Sequence, residues 1–298
     1  MDENEFLLED RIAKIRSIND QYNLLDNAYL SFSGGKDSTI LHYLLDLALP
    51  GNKIPRVFIN TGIEYKDIVG FVKEMVEKDD RFNIINPSQN IKVVLEKYGY
   101  PFKSKQHSHN LAIFQNSGMT LTNLRYLGIK ESKTKFRCPK SLEYQFSDAF
   151  DTKVSDSCCL KLKKEPVKKW SKDNSKSVIL TGMRKGEGGK RGSIGCITTA
   201  KDGSLTKFHP LLVVDDQWET WFIEKYDIEL CKLYYPPFNF KRTGCKGCPF
   251  SLDLQKQLEI MKQLLPNEYH QCEVIWKPIY DEYRRINYRL GGDDIGRE

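Results

Sequence analysis

The sequence predicts an α/β fold in which helices cover both faces of a parallel sheet. Short apolar runs at 28–32, 56–60, 82–85 and 177–180 are predicted strands, and helical segments follow the first three. The first run leads directly into a glycine turn that opens a helix. Strands that alternate with helices pair in parallel, because each helix carries the chain back across the sheet.

Helices are predicted for most of the remaining chain. Residues 101–157 show little periodicity and predict a mixture of helices and loops, whereas the pattern becomes helical from Pro210 onward. We place a domain boundary after residue 215, between an α/β core with an N-terminal helix (1–215) and a helical region (216–298). The predicted helices span 5–18, 39–45, 66–78, 90–98, 218–226, 252–265 and 269–288.

The composition indicates a globular protein and excludes an integral membrane protein. Of the 298 residues, 40% are hydrophobic and 29% are charged, and the mean hydropathy is −0.53. No apolar run approaches the roughly 20 residues that a membrane-spanning helix needs. The acidic start, Met1 to Glu5, lacks the basic and then apolar order of a signal peptide. We therefore expect a cytoplasmic protein with no membrane partner.

The net charge of +6 is concentrated in one part of the chain. Residues 130–191 contain 17 Lys and Arg residues against 8 Asp and Glu residues, so the remainder of the chain is slightly acidic. Such a stretch favours an anionic partner, which could be a nucleotide, a sulfate-like substrate or a nucleic acid. A solvated, lysine-rich surface is an equally good explanation of the charge alone.

The glycine turn Ser33-Gly34-Gly35-Lys36-Asp37-Ser38 is the clearest functional signal. Glycines let backbone N–H groups approach an anion, and the N-terminus of the following helix adds favourable partial charge. Lys36 supplies a mobile cation, and the hydroxyls of Ser33 and Ser38 supply hydrogen-bond donors. The spacing differs from that of a Walker loop. The turn predicts a phosphate site, and the alternative is a tight strand–helix turn without a ligand.

Two further loops follow predicted strands, where open α/β sheets bind their ligands. Asn60-Thr61-Gly62 follows the second strand, and Thr181-Gly182-Met183-Arg184 follows the fourth. Arg184 can clamp a phosphate or a sulfate, since a guanidinium donates to two oxygens at once. Each loop taken alone also fits an ordinary turn at the end of a strand.

Two pairs of cysteines predict a metal centre. Cys158 and Cys159 are adjacent, and Cys245 and Cys248 form a Cys-x-x-Cys pair that alone fits zinc, a redox disulfide or an iron–sulfur cluster. Adjacent cysteines favour a [4Fe–4S] cluster, in which each thiolate binds a different iron, over zinc, whose ligands converge on one ion. Zinc and unrelated thiols remain alternatives. A cluster would tie the C-terminal helices to the sheet, so we expect one cooperative unit.

The other four cysteines are interpreted from their neighbours. Cys231 and Cys272 lie in apolar or helical contexts and are assigned to packing. Cys138 and Cys196 lie among basic residues, which lower a thiol pKa and favour the thiolate. Cys196 also follows the glycine-rich stretch 186–195, so one hypothesis makes it a sulfur carrier near a bound nucleotide.

These motifs resemble those of a known family. The glycine turn resembles the pyrophosphate loop (PP-loop) of the adenine nucleotide alpha hydrolase superfamily. The loops at 60–62 and 181–184 look like the family's Asp-Thr-Gly and Thr-Gly-x-Arg loops, with Asn60 replacing Asp. The two cysteine pairs resemble the cluster motif of assimilatory adenylyl-sulfate reductases. Over most of its length, the sequence is similar to the phosphoadenosine phosphosulfate reductase family.

The resemblance implies a Rossmann-like fold of the PP-loop (HUP) type that binds an adenine nucleotide. It implies ATP or adenylyl sulfate as the ligand, Mg²⁺ as its companion ion and a [4Fe–4S] cluster on both cysteine pairs. Lys36 and Arg184 are the predicted catalytic residues, acting through charge stabilisation and alignment. The predicted binding residues are Ser33, Gly34, Gly35, Lys36, Asp37, Ser38, Thr61, Gly62, Gly182 and Arg184, and the predicted metal ligands are Cys158, Cys159, Cys245 and Cys248.

The sequence departs from the family in one respect. The family's reductases use a nucleophilic cysteine in a Glu-Cys-Gly-type tail, whereas no cysteine follows Cys272 here. The first interpretation is therefore an enzyme that cleaves ATP to AMP and pyrophosphate to activate an acceptor for sulfur transfer. The alternatives are a sulfonucleotide reductase that makes sulfite and a non-catalytic nucleotide- and cluster-binding component of a sulfur-modification or defence complex. The expected partners are an adenine nucleotide, a sulfur donor such as a cysteine desulfurase or a thioredoxin-like protein, and a nucleic acid acceptor.

Overall fold

The computed structural model describes residues 2–187 and 194–291, and a six-stranded sheet organises the chain. The strands are β1 (Ala28–Phe32), β2 (Arg56–Ile59), β3 (Phe82–Ile85), β4 (Val178–Leu180), β5 (Ile197–Thr199) and β6 (Leu205–Phe208). Their order in the sheet is β3-β2-β1-β4-β6-β5. Five strands run parallel, and β5 pairs antiparallel with β6 at one edge. The predicted α/β class is confirmed.

The predicted helices are present, most with shifted ends, but helices at 24–27 and 165–173 were not predicted, and one prediction near the C-terminus is wrong. The helix predicted at 269–288 is instead the end of one helix and the whole of another. Pro278 lies in the first turn of the second helix, where its missing N–H is not needed, and it cannot continue the first one. The helices are α1 (Glu3–Tyr22), α2 (Leu24–Asn27), α3 (Lys36–Ala48), α4 (Lys66–Lys78), α5 (Ile91–Tyr98), α6 (Lys105–Ser117), α7 (Leu121–Tyr126), α8 (Ser157–Cys159), α9 (Glu165–Asp173), α10 (Asp216–Lys225), α11 (Leu254–Leu264), α12 (Pro266–Ile275) and α13 (Lys277–Arg285).

The chain forms two compact units, and neither is a continuous segment. The first unit comprises 1–60, 64–86 and 166–244, and the second comprises 61–63, 87–165 and the residues from 245 onward. This division differs from the predicted boundary after residue 215. The reason is that the chain leaves the sheet after β3, forms the helices of the second unit, and returns to the sheet through α9 and β4.

The first unit is built on the sheet. Strand β1 lies at its centre, and Ala28, Tyr29, Leu30 and Phe32 are all buried. A nearly continuous apolar strand is expected where helices cover both faces of a parallel sheet. Helices α1 and α3 pack against each other in this unit.

The hairpin of β5 and β6 was not predicted. Thr198 and Thr199 are exposed, because β5 is an edge strand, and so no apolar run marks it. The local signal is the turn at Asp202-Gly203, where Gly203 has a φ of +82°. Hydrophobic periodicity therefore missed the polar edge strand β5 and its short neighbour β6, in which only Leu205 and Phe208 are buried.

The second unit is helical and has an aromatic core. Phe102, Trp276, Tyr280 and Tyr283 are fully buried, and the rings of Phe102 and Tyr283 meet edge to face at 4.7 Å. Over the described residues, no helix of either unit is both long enough and apolar enough to cross a bilayer.

Candidate functional site

The turn between β1 and α3 has the geometry of an anion-binding loop. Gly34 has a φ of +69°, and a Cβ at this position would lie 2.8 Å from Ile68 Cγ2 and 3.1 Å from Val72 Cγ2. Glycine is thus required both by the backbone conformation and by the available space. Gly35 caps the 13-residue helix α3, whose first N–H groups carry partial positive charge.

Hydroxyl groups hold the loop in shape. Ser38 Oγ accepts a hydrogen bond from the Ser33 N–H at 3.2 Å and donates to the Gly35 carbonyl at 2.9 Å. The hydroxyls of Ser33 and Ser38 are 3.0 Å apart, and the Thr39 hydroxyl donates to the Gly35 carbonyl at 3.0 Å. These bonds preform the loop, which lowers the entropic cost of ordering it around an anion.

The two predicted catalytic cations meet at one buried carboxyl group, that of Glu219 on α10. Lys36 Nζ lies 2.6 Å from Glu219 Oε2, and Arg184 Nε lies 3.1 Å from Glu219 Oε1. The Glu219 side chain is 0% exposed, whereas those of Lys36 and Arg184 are 22% and 12% exposed. The structure therefore brings together two residues that are far apart in the sequence.

Two more carboxyl groups surround these cations. Arg184 Nη1 lies 2.8 Å from Asp216 Oδ1, and Arg184 Nε lies 3.4 Å from Asp37 Oδ1. The Asp216 side chain is 80% exposed, so water screens its ion pairs strongly. The interactions of Glu219 are not screened in this way, and they dominate the electrostatics of the site.

The carboxyl groups of Glu219 and Asp216 differ in the direction of their pKa shifts. Burial, and then the negative charge of Asp37, raise the pKa of Glu219 to about 8, although Lys36 acts in the opposite direction. In contrast, the hydrogen bond from Arg184 lowers the pKa of Asp216. Glu219 therefore exchanges a proton near neutral pH, whereas Asp216 stays ionised.

The loop after β4 positions Arg184. A Cβ at Gly182 would lie 2.7 Å from the carbonyl carbon and oxygen of Asp37, so only glycine allows this close approach to the first turn of α3. Thr181 Oγ1 lies 2.7 Å from His209 Nδ1. The N–H of Lys185 donates to the Leu212 carbonyl at 2.9 Å. These contacts fix the loop on both sides of Arg184.

Tyr234 is a further side chain at the start of α3. Its hydroxyl bonds to the backbone N–H of Lys36 and lies 2.6 Å from Thr243 Oγ1. Burial raises the pKa of Tyr234 to about 12, so the hydroxyl stays protonated. Tyr234 thus contacts one of the backbone donors that the loop would offer to an anion.

The loop at 60–62 is divided between the two units. Asn60 belongs to the first unit, where its N–H donates to the Ile85 carbonyl at 2.9 Å. Thr61 and Gly62 belong to the second unit together with Ile63, whose carbonyl accepts from the Lys246 N–H at 2.8 Å. A nucleotide-binding role for Thr61 and Gly62 stays a prediction.

The four-cysteine group (Cys158, Cys159, Cys245 and Cys248) lies within the second unit. The pKa of Cys158 is raised by its hydrogen bond with Cys159, by burial and by the charges of the other cysteines. The same hydrogen bond lowers the pKa of Cys159 to about 6, against the effect of burial. The thiols are therefore close enough to influence one another, and the arrangement favours a thiolate at Cys159. As the side chains lie, no three or more His, Cys, Asp or Glu residues in the described ranges could hold a metal ion.

The loop at 245–248 is fixed by α12 and α13. Gly247 has a φ of +59°, and a Cβ there would lie 2.7 Å from Cys272 Sγ and would collide with the Tyr280 hydroxyl. That hydroxyl donates to the Gly247 carbonyl, and Trp276 Nε1–H donates to the Lys246 carbonyl at 3.1 Å. The backbone between the second pair of cysteines is thus held by buried aromatic donors.

The expectation of thiolates at Cys138 and Cys196 is wrong. Burial raises the pKa of Cys138 to about 12 and outweighs the lowering effect of Lys103. Burial also raises the pKa of Cys196, although Arg11 acts against it. Local basic sequence is a poor guide here because desolvation of the thiol is the larger effect. The glycine-rich stretch before Cys196 includes residues 188–193, which lie outside the described residues.

Sequence reasoning missed Glu219, although a signal was present. Trp218, Glu219 and Phe222 are the buried residues of α10 and lie on one face of that helix. A carboxyl group on the apolar face of an amphipathic helix must be paired, because an isolated buried charge is costly. The spacing could therefore have indicated a buried partner for Glu219, but not that the partners are Lys36 and Arg184.

Comparisons with known proteins identify a family. Residues 27–119 and 123–251 match the family described as phosphoadenosine phosphosulfate reductase domain. A segment of 73 residues is 38% identical to the uncharacterized protein MJ0973 of Methanocaldococcus jannaschii, and it covers 24% of this chain but only 17% of that protein.

Several solved structures are similar to this chain at low sequence identity. A phosphoadenylyl-sulfate reductase from Candida auris is 14% identical, with 74% of this chain and 81% of that chain covered and a TM-score of 0.43. An FMN adenylyltransferase from Candida glabrata is also 14% identical, with 82% and 63% covered and a TM-score of 0.47. An NH3-dependent NAD synthetase from Campylobacter jejuni is 12% identical, with both chains fully covered and a TM-score of 0.41.

The match to the family model extends over more than half of the chain. It includes the glycine loop, Arg184 and the four-cysteine group. The chain therefore belongs to the phosphoadenosine phosphosulfate reductase family.

Proposed function

We propose that this protein binds an adenine nucleotide at the loop between β1 and α3 and cleaves ATP to AMP and pyrophosphate. The observation that carries the proposal is the convergence of Lys36 and Arg184 on Glu219 beside the N-terminus of α3. Backbone N–H groups together with two cations form the kind of site that a pyrophosphate group occupies. Membership of the family supports nucleotide binding, and the choice of ATP rests on the loop sequence and its cations.

The reaction follows from these charges. An acceptor oxygen attacks the α-phosphorus of ATP, the bond from that phosphorus to the pyrophosphate oxygen breaks, and the adenylated acceptor then becomes the target of sulfur transfer. Negative charge develops on the leaving pyrophosphate, where the loop N–H groups, Lys36 and Arg184 would stabilise it. AMP leaves when sulfur replaces it on the acceptor.

Glu219 would control when these cations become available. When it is ionised, Glu219 neutralises Lys36 and Arg184, and a phosphate group would compete with it for both of them. Uptake of a proton by Glu219 would remove the repulsion between its carboxylate and the phosphate. Because burial raises the pKa of Glu219 to about 8, this protonation is accessible at neutral pH.

Magnesium would accompany the nucleotide rather than bind to a preformed cage. The carboxyl groups of Asp37, Asp216 and Glu219 are all engaged by Lys36, by Arg184 or by one another. Mg²⁺ commonly binds through substrate phosphates and only one or two carboxylates. The side chains as they lie do not form a Mg²⁺ site, and no step of the proposed reaction depends on one.

A second candidate function is supported by the description of the family. A sulfonucleotide carries the same phosphate groups and an added sulfate, so the loop and Arg184 could bind it equally well. The product would then be sulfite instead of pyrophosphate. A protein that binds nucleotides without forming either product would instead be a non-catalytic component of a sulfur-transfer complex.

A product assay distinguishes these candidates. We expect pyrophosphate release from ATP in the presence of Mg²⁺, and a loss of roughly 100-fold in its rate for Lys36→Gln, which removes one charge from the leaving group. Lys73→Gln removes an exposed charge from α4 of the same unit and should leave the rate unchanged. Sulfite formation from adenylyl sulfate and thioredoxin, without pyrophosphate release, would refute the first candidate in favour of the second.

We propose further that the four-cysteine group holds a [4Fe–4S] cluster. All four cysteines are free thiols, and the thiolate favoured at Cys159 is the form that binds iron. Four sulfur ligands from two chain segments suit a cluster, because each thiolate binds its own iron and the ligands need not converge on one point. When bound, such a cluster would supply either electron transfer or a cross-link between the two segments.

Metal analysis tests the cluster. Anaerobically purified protein should contain about four irons and four sulfides per chain, as such a cluster requires. Cys248→Ser should lose most of this iron, whereas Cys138→Ser, at a buried thiol of the same unit, should retain it. A colourless protein that contains zinc would refute the proposal.

A further inference from the structure

The second unit contains a cavity of about 890 Å³ that the proposed function does not use. It lies between α6, α7 and the segment 131–137, and its lining includes three basic residues, Arg125, Lys133 and Arg137, against one acidic residue, Glu131. Between Arg125 and Lys140 the chain has six basic residues and one acidic residue. The cavity therefore favours an anionic ligand.

Asn110 is one of the residues that line this cavity, and its side-chain oxygen is buried without a hydrogen-bond partner among the described residues. Its side-chain N–H donates to the Gln106 carbonyl at 2.7 Å, which fixes the orientation of the amide. The residue is 1% exposed, and no described residue donates to its Oδ1 atom. A buried acceptor without a partner costs free energy. A ligand with an N–H donor, such as the amino group of a nucleobase, would remove that cost.

Cations and an aromatic ring line the same cavity. Arg125, Lys133 and Arg137 are exposed and can bind phosphate groups. The ring of Phe136 is 60% exposed, although burying it would be favourable. An exposed aromatic ring between cationic side chains is typical of surfaces on which the bases of a single strand stack.

We propose that this cavity binds a nucleotide unit of a single-stranded nucleic acid. The base would stack on Phe136 and donate a hydrogen bond to Asn110, and the adjacent phosphates would bind Lys133 and Arg137. A single strand is required because a base inside a duplex cannot turn its edge into a cavity. A strand is favoured over a free nucleotide because exposed lysines at 130, 135 and 140 extend the positive charge beyond the lining.

Fluorescence anisotropy with labelled oligonucleotides tests the proposal. The probes are single-stranded DNA and RNA of about 12 nucleotides, a length within the range that such binding sites cover. Lys133→Gln/Arg137→Gln should weaken binding at least ~10-fold and reduce the slope of log affinity against log salt by about 1.4, since two phosphate contacts are lost. Phe136→Ala should weaken binding by roughly 5- to 160-fold, the range of one lost stacking contact.

A matched control separates the cavity from general basic charge. Lys168→Gln/Lys169→Gln removes two exposed charges from the same basic stretch of the sequence, on α9, and should leave binding nearly unchanged. Equal losses in both double variants, or no binding of either single strand, would overturn the proposal. Complete competition by millimolar AMP would also overturn it, because the ligand would then be a free nucleotide.

The assay contains no ATP and does not depend on the proposed cleavage reaction. Failure of ATP cleavage would therefore leave this result intact, and the reverse also holds. A preference for RNA over DNA, or for DNA over RNA, would identify the kind of strand that the cavity accepts. Urea unfolding of each variant should match the unsubstituted protein, because the substituted side chains are exposed.

Discussion

Glu219 holds both cations of the candidate nucleotide site. A carboxylate that is 0% exposed would be strongly destabilising if it were unpaired, and Lys36 and Arg184 offset that cost. The same contacts restrict the two cations to one geometry. A single side chain thus determines where the positive charge of the site lies, and its protonation determines how strongly that charge is neutralised.

The pH dependence of stability tests the role of Glu219. Its pKa is raised by folding from 4.5 to about 8, so its stabilising contribution is complete below pH 4.5 and is lost as the pH rises through 8. The unsubstituted protein should lose stability between about pH 5 and pH 8, whereas Glu219→Gln should not show this loss. The free energy of unfolding of Glu219→Gln minus that of the unsubstituted protein should therefore become more positive over this range. Urea unfolding at several pH values measures this difference. Glu224→Gln, at an exposed position of α10, should show no such trend, and a flat difference for Glu219→Gln would contradict the assignment.

At the scale of elements, the site depends on close approaches between loops and helices. Gly34 lies against α4, and Gly182 lies against the first turn of α3, where in both cases a Cβ would collide. Gly247 has the same role beside α12 and α13. These contacts place loop N–H groups, cations and cysteines where they could act. The glycines therefore serve both packing and backbone conformation.

A pair of glycine substitutions separates these two effects. Gly34→Ala and Gly51→Ala both place alanine at positive φ, +69° and +71°, but only Gly34 has no room for a Cβ. We expect backbone strain at positive φ to lower the free energy of unfolding of both variants by roughly 1–3 kcal/mol. Gly34→Ala should lose about 1–3 kcal/mol more because of overpacking against Ile68. Urea unfolding measures stability and ATP binding measures the site, and equal losses in both variants would contradict the packing argument.

At the scale of the whole molecule, each unit contains a buried histidine in a polar network. His42 lies in the first unit and accepts a hydrogen bond from Arg56 Nε at 3.1 Å. His107 lies in the second unit, with its Nε2 atom 2.7 Å from Gln145 Oε1. Burial lowers the pKa of both histidines to about 4, so both are neutral near pH 7.

These histidines should make the protein sensitive to acid. Because their pKa falls from 6.5 to about 4 on folding, their contribution is complete above pH 6.5 and is lost as the pH falls towards 4. His107→Gln should reduce this loss of stability, as measured by urea unfolding between pH 4 and 7. His109 is exposed, and His109→Gln should keep the pH dependence of the unsubstituted protein. An unchanged dependence in His107→Gln would refute the assignment.

The sequence by itself determined the fold class, the strands β1 to β4 and the glycine turn between β1 and α3. These features depend on local periodicity and on residues with special backbone conformations, which leave a signal within a few neighbouring positions. The two predicted catalytic residues, Lys36 and Arg184, also lie at one site, and the two cysteine pairs lie in one unit. Their proposed ligands stay predictions.

Only the tertiary structure decided which side chains meet. The pairing of Glu219 with Lys36 and Arg184 joins three distant segments, and no periodicity encodes it. The protonated thiols of Cys138 and Cys196 and the unpartnered oxygen of Asn110 likewise follow from burial by residues remote in sequence. Desolvation depends on everything that packs around a group, and for this reason the chemistry of these residues was settled by packing and not by their neighbours along the chain.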